Sequence, residues 1–175
     1  FIKSYPKSEK FEEAIFMTAK CYYMLSPIHS LDQKDTNTAI EKLQIFINNY
    51  PNSTYVQEAN NLISELQEKL EKKEFEISKQ YYTIRDYKAA IRSVDNFIGE
   101  FAGTKYREEA MYYKFLSSYE IAVNSIQSKK IERLKDLKQL HSSIIKYYPE
   151  TIFLEQLSSI MMIVEKEINT FAQIN

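Results

Sequence analysis

The chain has 175 residues, 23 Lys and Arg against 24 Asp and Glu for a net charge of −1, and only two glycines and four prolines. So even a charge balance gives no field to hold a polyanion, which excludes nucleic acid as an expected partner. No run approaches the roughly 20 apolar residues that a membrane span needs. With 44% hydrophobic residues and so few helix breakers, the composition favours long helices over a turn-rich β architecture.

Four segments share one pattern. They read Phe1-Ile2-Lys3-Ser4-Tyr5-Pro6-Lys7-Ser8, Phe46-Ile47-Asn48-Asn49-Tyr50-Pro51-Asn52-Ser53, Phe97-Ile98-Gly99-Glu100-Phe101-Ala102-Gly103-Thr104 and Ile144-Ile145-Lys146-Tyr147-Tyr148-Pro149-Glu150-Thr151. The apolar and aromatic residues pack the last turn of a helix, and the proline cannot continue it. Ser8, Ser53, Thr104 and Thr151 are placed to cap the next helix, whose first amides lack partners. Beyond each turn, Ala14, Ala59 and Ala110 recur at the same offset, preceded by Glu13, Glu58 and Glu109. A small residue there lets a neighbouring helix approach closely, so helices are expected to stack in pairs.

In chain order, helices are expected at 8–25, 34–50, 53–85, 87–101, 104–127, 129–148 and 151–172, with 26–33 the one loop of any size. From Ser53 to Arg85 there is no Gly or Pro. Val56, Ala59, Ile63, Leu66, Leu70, Ile77, Tyr81 and Ile84 recur at helical spacings, which predicts one long helix. The fold class expected is all-α, a tetratricopeptide-like helical-repeat solenoid of about seven helices forming one domain over 1–175, with turns near 6, 51, 102 and 149. Those turns lie further apart than the standard unit of about 34 residues. Even so, Asp86-Tyr87-Lys88-Ala89-Ala90-Ile91 with Phe97 beyond it resembles that unit's second helix.

The residue types needed for chemistry do not assemble. His29 and His141 sit in different repeats without a metal-ligand partner, and Cys21, the one cysteine, lies in a helical apolar run. Gly99 and Gly103 make no phosphate-cradling loop. No catalytic residue, metal or cofactor is expected, and the chain reads as a protein-binding scaffold that is not an enzyme. Lys20, Lys79 and Arg85 are too scattered to form a clamp for short C-terminal peptides.

Fourteen tyrosines and ten phenylalanines remain to be explained. Many fall at packing positions of the repeat, among them Tyr5, Phe46, Tyr50, Phe97, Phe101 and Tyr148. The adjacent pairs Tyr22-Tyr23, Tyr81-Tyr82 and Tyr112-Tyr113 cannot both face one core, because neighbouring helical residues point about 100° apart. Two readings stay open for the surplus rings: packing between repeats, or a recognition surface on the inner side of a curved stack.

The segment Ser26-Pro27-Ile28-His29-Ser30-Leu31-Asp32-Gln33-Lys34-Asp35-Thr36-Asn37-Thr38-Ala39-Ile40, followed by Tyr50-Pro51-Asn52-Ser53, resembles the BamD family of tetratricopeptide lipoproteins. So does Glu68 to Arg85, with its Tyr81-Tyr82-Thr83-x-Arg85 ending. The resemblance covers residues 1–125, and the rest follows by repeat pattern. It implies a subunit of the bacterial outer-membrane β-barrel assembly machinery, on the periplasmic face of the outer membrane. Contact with the membrane would be only through an acylated N-terminal cysteine that this chain does not contain. The chain begins at Phe1 and is expected to be a fragment. The implied partners are the periplasmic domains of the barrel-forming subunit BamA, other assembly subunits and unfolded outer-membrane proteins. The family's basic residue after the Pro-x-Thr turn is matched one position off register by Arg107. Candidate partner-binding residues are Tyr22, Tyr23, Asp32, Tyr81, Tyr82, Arg85, Arg107 and Tyr112. The rival family is that of CpoB-like cell-envelope coordinators, whose repeats also carry Tyr-Pro-x-Ser turns.

Overall fold

The structure is a computed structural model that describes Ser4 and residues 7–174. Among these, seven helices follow one another: α1 Phe11–Leu25, α2 Lys34–Asn49, α3 Val56–Thr83, α4 Tyr87–Glu100, α5 Arg107–Val123, α6 Gln127–Tyr147 and α7 Leu154–Ile174. No strand occurs among the described residues. Helix α1 packs on α2, and α4, α5, α6 and α7 pack each on the next; the fold is an all-α, tetratricopeptide-like helical repeat. Tyr5 and the turn near Pro6 lie outside the described residues.

The three described turns are built by the same hydrogen bonds. The helix closes with Tyr50, Phe101 and Tyr148 donating their amides to Phe46, Phe97 and Ile144 at 2.8–2.9 Å. Ser53, Thr104 and Thr151 then donate back to the Tyr50, Phe101 and Tyr148 carbonyls at 3.0–3.2 Å. Their hydroxyls accept from the amides of Tyr55, Tyr106 and Phe153 at 3.2–3.3 Å. Ser8 does the same for Lys10 at 3.2 Å. Each hydroxyl therefore closes a short turn of its own, and the helix proper begins three residues beyond it. The sequence reading placed these starts too early for that reason. Ala102-Gly103 makes the same turn without proline. Neither glycine has positive φ, and an added Cβ would meet nothing within 4 Å.

Two compact units divide the chain, residues 1–73 and 74–175. The first unit's core draws on α1, α2 and the front of α3: Phe16, Ala19, Ala39, Leu43, Phe46, Ala59 and Leu66 are buried. The recurring alanine does what its size predicts at Ala59 and Ala110, both fully buried, whereas Ala14 is half-buried. In the second unit Phe75, Val94, Phe97 and Ala110 form one cluster. Phe115, Leu134, Leu137, Ile144, Leu157, Met161 and Val164 form another. The length of α3 follows from this division, since its front half serves the first core and its rear half, from Phe75 on, serves the second.

The loop 26–33 is held by a buried glutamine. Gln33 Nε2 donates to the carbonyls of Ile28 and Leu31 at 2.9 and 2.8 Å, and its Oε1 accepts from Thr36 Oγ1 at 2.7 Å. Lys69 Nζ donates to Ser26 Oγ at 2.7 Å and Lys73 Nζ to the Leu31 carbonyl at 2.6 Å, tying the loop to α3. Gln33→Ala takes one of two partners from the buried Thr36 hydroxyl, which keeps Ser26 Oγ at 2.6 Å, and removes a donor from two carbonyls, which is expected to cost about 2 kcal/mol. Urea unfolding, with Asp35→Ala as an exposed control, measures it.

Candidate functional site

A short motif occurs twice at equivalent places. It reads Phe16-x-x-Ala19-Lys20-x-Tyr22-Tyr23 in α1 and Phe75-x-x-Ser78-Lys79-x-Tyr81-Tyr82 in the rear of α3. The surroundings repeat as well. Phe16 stacks on Tyr55 (centroids 4.7 Å apart, planes at 15°), and Phe75 stacks on Tyr106 (5.1 Å, 10°). Lys20 pairs with Glu58 at 2.6 Å and Lys79 with Glu109 at 3.2 Å, each ammonium also lying 5.9 Å from its phenylalanine ring. Two of the recurring glutamates, Glu58 and Glu109, are thus partners of a lysine on the preceding odd-numbered helix, whereas Glu13 pairs with Lys10 at 3.0 Å beside its own helix.

This geometry sorts the paired tyrosines. In the first unit Tyr22 and Tyr23 are both half-buried against the core, and the Tyr23 hydroxyl donates to Glu65 at 2.5 Å. That hydrogen bond, with burial and the carboxylate charge, raises the phenol above its ordinary range. Asp32 is exposed, and its Oδ1 accepts from the Lys34 amide at 3.0 Å at the start of α2.

The second unit brings more together. Tyr82 lies 5.9 Å from Tyr87 and 5.3 Å from Tyr113, Tyr113 lies 5.6 Å from Tyr112, and Tyr112 stacks on Phe153 at 4.1 Å with planes 8° apart. The result is a ribbon of five half-buried rings drawn from α3, α4, α5 and the turn before α7. Tyr112 takes the stacking place that Phe16 and Phe75 hold elsewhere, while Tyr113 turns to Lys79, whose ammonium is 5.4 Å from its ring. Burial raises the Tyr82 phenol, helped by the charge of Glu120, and burial raises that of Tyr112. Burial pulls the Lys79 ammonium down, but the hydrogen bond to Glu109 and the nearby Tyr113 outweigh it, so its pKa rises. Tyr82 and Tyr112 therefore stay neutral and Lys79 stays charged at neutral pH, which gives an amphipathic surface.

Arg85 ends α3 with φ 65°, in the left-handed region. The amide of Arg85 donates to Tyr82 and that of Asp86 to Tyr81, the paired bonds of a Schellman turn, while Asp86 Oδ1 caps α4 through the Ala89 amide at 3.1 Å. Glycine is the default at that position, so an exposed arginine there is strained. Arg85→Gly is expected to raise stability by up to about 1 kcal/mol. Thermal unfolding checks it, and an unchanged or lower midpoint contradicts it.

Tyr81 is half-buried at the same helix end. Arg107, at the start of α5, folds back so that Nη1 donates to the Ala102 carbonyl at 3.4 Å. Of the eight residues singled out from sequence, the ribbon joins Tyr82 and Tyr112. Tyr113, read from sequence as one of the paired rings, joins them, as do Tyr87, Phe153, Lys79 and Glu109, which the sequence did not single out for binding. The repeated Phe-x-x-small-Lys-x-Tyr-Tyr motif was the available signal for Lys79.

Elsewhere, a groove of about 320 Å³ between α4, α5 and α6 is lined by Ile91, Lys114, Ile121, Arg133, Asp136 and Leu137, among others. Lys114 is paired with Asp95 at 2.5 Å, and Arg133 donates to Ser125. His141 packs 6.0 Å from Phe115, and burial holds its imidazole below the ordinary range. Among the described residues no cluster of three or more His, Cys, Asp or Glu could hold a metal ion. No helix among them is long and apolar enough to cross a membrane.

No curated protein matches the chain. A family model does, that of YfiO, described as outer membrane lipoprotein, and it matches twice, over residues 1–85 and 79–173. Together the two matches span nearly the whole chain, meeting at the end of α3 where the Tyr-Tyr motif lies. The chain belongs to the YfiO family of outer membrane lipoproteins.

Proposed function

We propose that the chain is a non-catalytic scaffold of the outer-membrane β-barrel assembly machinery, binding the periplasmic domains of the barrel-forming subunit BamA, other assembly subunits and unfolded barrel precursors. The observation that carries this reading is the ribbon of half-buried rings beside the Lys79–Glu109 pair, in a member of an outer membrane lipoprotein family. Rings already half-packed lose little entropy when a partner covers their remaining face, and aromatic side chains dominate binding hot spots. An extended precursor strand or a folded partner domain lays apolar side chains on the ribbon and finds polar partners at Lys79, Glu109 and Arg85. Binding of this kind is reversible and leaves the ligand chemically unchanged.

The full-length protein is expected to be held at the periplasmic face of the outer membrane by an N-terminal lipid, as befits its family. Affinity purification from solubilised outer membranes tests the reading. It predicts recovery of BamA with the tagged protein. Recovery of peptidoglycan-linked proteins without BamA would assign the chain to the cell-envelope coordinators instead.

A further inference from the structure

Among the described residues Arg85 alone has positive φ, in a place where glycine would sit without strain. Residues other than glycine are uncommon in the left-handed region, and those enriched there are Asn, Asp and His. Asn and Asp have short side chains that bond to the nearby backbone. Arg85 makes no such bond. Its side chain is exposed, and its guanidinium has no hydrogen bond or ion pair among the described residues. The junction of α3 and α4 therefore gains nothing from an arginine here. Strain kept without a structural benefit points to a use for the side chain.

The surroundings define that use. Residues 84–86 are exposed and join α3 to α4, bracketed by Tyr82 and Tyr87, two rings of the ribbon whose centroids are 5.9 Å apart. Arg85 thus stands at the edge of the ribbon, next to Ile84, which is 62% exposed. The charges nearby leave its guanidinium unbound. The Asp86 carboxylate accepts from the Ala89 amide at 3.1 Å, and Lys79 is paired with Glu109 at 3.2 Å. Glu120 acts on the Tyr82 phenol through its charge and does not bond to Arg85. Lys88, also exposed, adds a second positive charge on α4. A guanidinium presents its N–H donors as a planar fork, which holds a carboxylate through two parallel hydrogen bonds. With a net charge of −1 the chain has no field for a polyanion. The ligand of matching chemistry is one carboxylate on a protein segment, beside an apolar side chain that covers Ile84 and Tyr82.

We infer that Arg85 is the specificity-determining residue of the ribbon, reading a Glu or Asp carboxylate on a bound extended segment whose neighbouring apolar residue rests on Ile84 and Tyr82. The inference rests on the scaffold reading above and names the ligand chemistry of that surface. The test uses the full-length protein and two labelled extended peptides, identical except for Glu or Gln between flanking aromatic residues, with binding read by fluorescence anisotropy. The wild type is expected to prefer the Glu peptide about fivefold, the scale of one ion pair at an exposed site, and to lose most of that preference at high salt. Arg85→Gly is expected to bind both peptides alike. Its unfolding midpoint stays at or above that of the wild type, so loss of fold cannot account for the change. Arg85→Lys keeps the charge without the fork and is expected to prefer Glu about twofold. Lys88→Gln is expected to keep the full preference.

The same preference in the wild type and in Arg85→Gly overturns the proposal, and so does a wild type that binds both peptides alike. A preference lost in Lys88→Gln as well would assign it to diffuse charge and also overturns it. Binding to phosphatidylglycerol vesicles that depends on Arg85, with no preference between the peptides, would mean that the fork meets a lipid phosphate instead. In each of these cases the scaffold reading stands as long as Tyr82→Ala weakens both peptides. If Tyr82→Ala binds them as tightly as the wild type, or the wild type binds neither, the ribbon is no recognition surface and both readings fall.

Discussion

Phe75→Ala is expected to destabilise the second unit by about 3–5 kcal/mol, the usual loss when a large buried ring leaves a cavity. The ring is 2% exposed, stacks on Tyr106, and lies 6.1 Å from Phe97 and 6.4 Å from Tyr113. Alanine would remove the surface on which the turn residue Tyr106 rests and the face that Lys79 covers. Collapse refills such a gap only in part, because the helices that carry Phe97 and Tyr113 are held by their own backbone hydrogen bonds. Phe75→Leu keeps most of the volume and is expected to lose about 1 kcal/mol. Phe16→Ala is the matching change in the first unit, where the ring stacks on Tyr55 and lies 5.3 Å from Phe46. Equilibrium unfolding in urea measures all three. A loss below 1 kcal/mol for both alanine variants would mean that the repeated stack does not hold the helices together.

Tyr82→Ala is expected to weaken binding of the barrel-forming subunit's periplasmic domains by about 10- to 100-fold, as a hot-spot aromatic does. Tyr82 is half-buried, joined to Tyr87 and Tyr113 at the ring edges, so its removal costs the fold far less than that of Phe75. Tyr82→Phe keeps the ring and the apolar face, and is expected to bind within about threefold of the wild type, since a rim hydroxyl is worth little. Titration calorimetry gives the affinities, and circular dichroism confirms the fold. A variant that lost stability and affinity together would point to packing as the whole role of Tyr82.

The turns were legible from sequence because their chemistry is local. An aromatic, a proline or its substitute, and a hydroxyl two residues on suffice to stop one helix and start another. The three-residue error at the helix starts came from the same hydroxyls, which satisfy amides in a turn before they satisfy a helix. The helical spacing of α3 was equally plain. That its halves serve different cores was not, because periodicity reports which face is apolar and not what covers it. Gln33 escaped notice since a glutamine is ordinarily exposed, and only the folded loop supplies the two carbonyls it ties. Tyr87, Tyr113 and Phe153 come from three separate segments, and nothing short of packing brings them beside Tyr82. Arg107 followed from the family pattern, yet its guanidinium turns back to its own preceding turn.

A photoreactive benzoylphenylalanine at position 82 or at the exposed position 139 of α6, introduced into the full-length protein in native outer membranes, bears most directly on the aromatic ribbon as a partner surface. Crosslinks from position 82 to the barrel-forming subunit or to an unfolded barrel precursor, with none from position 139, are the predicted result. Crosslinks from 139 alone, or none from 82 in membranes where the assembly is intact, would contradict it.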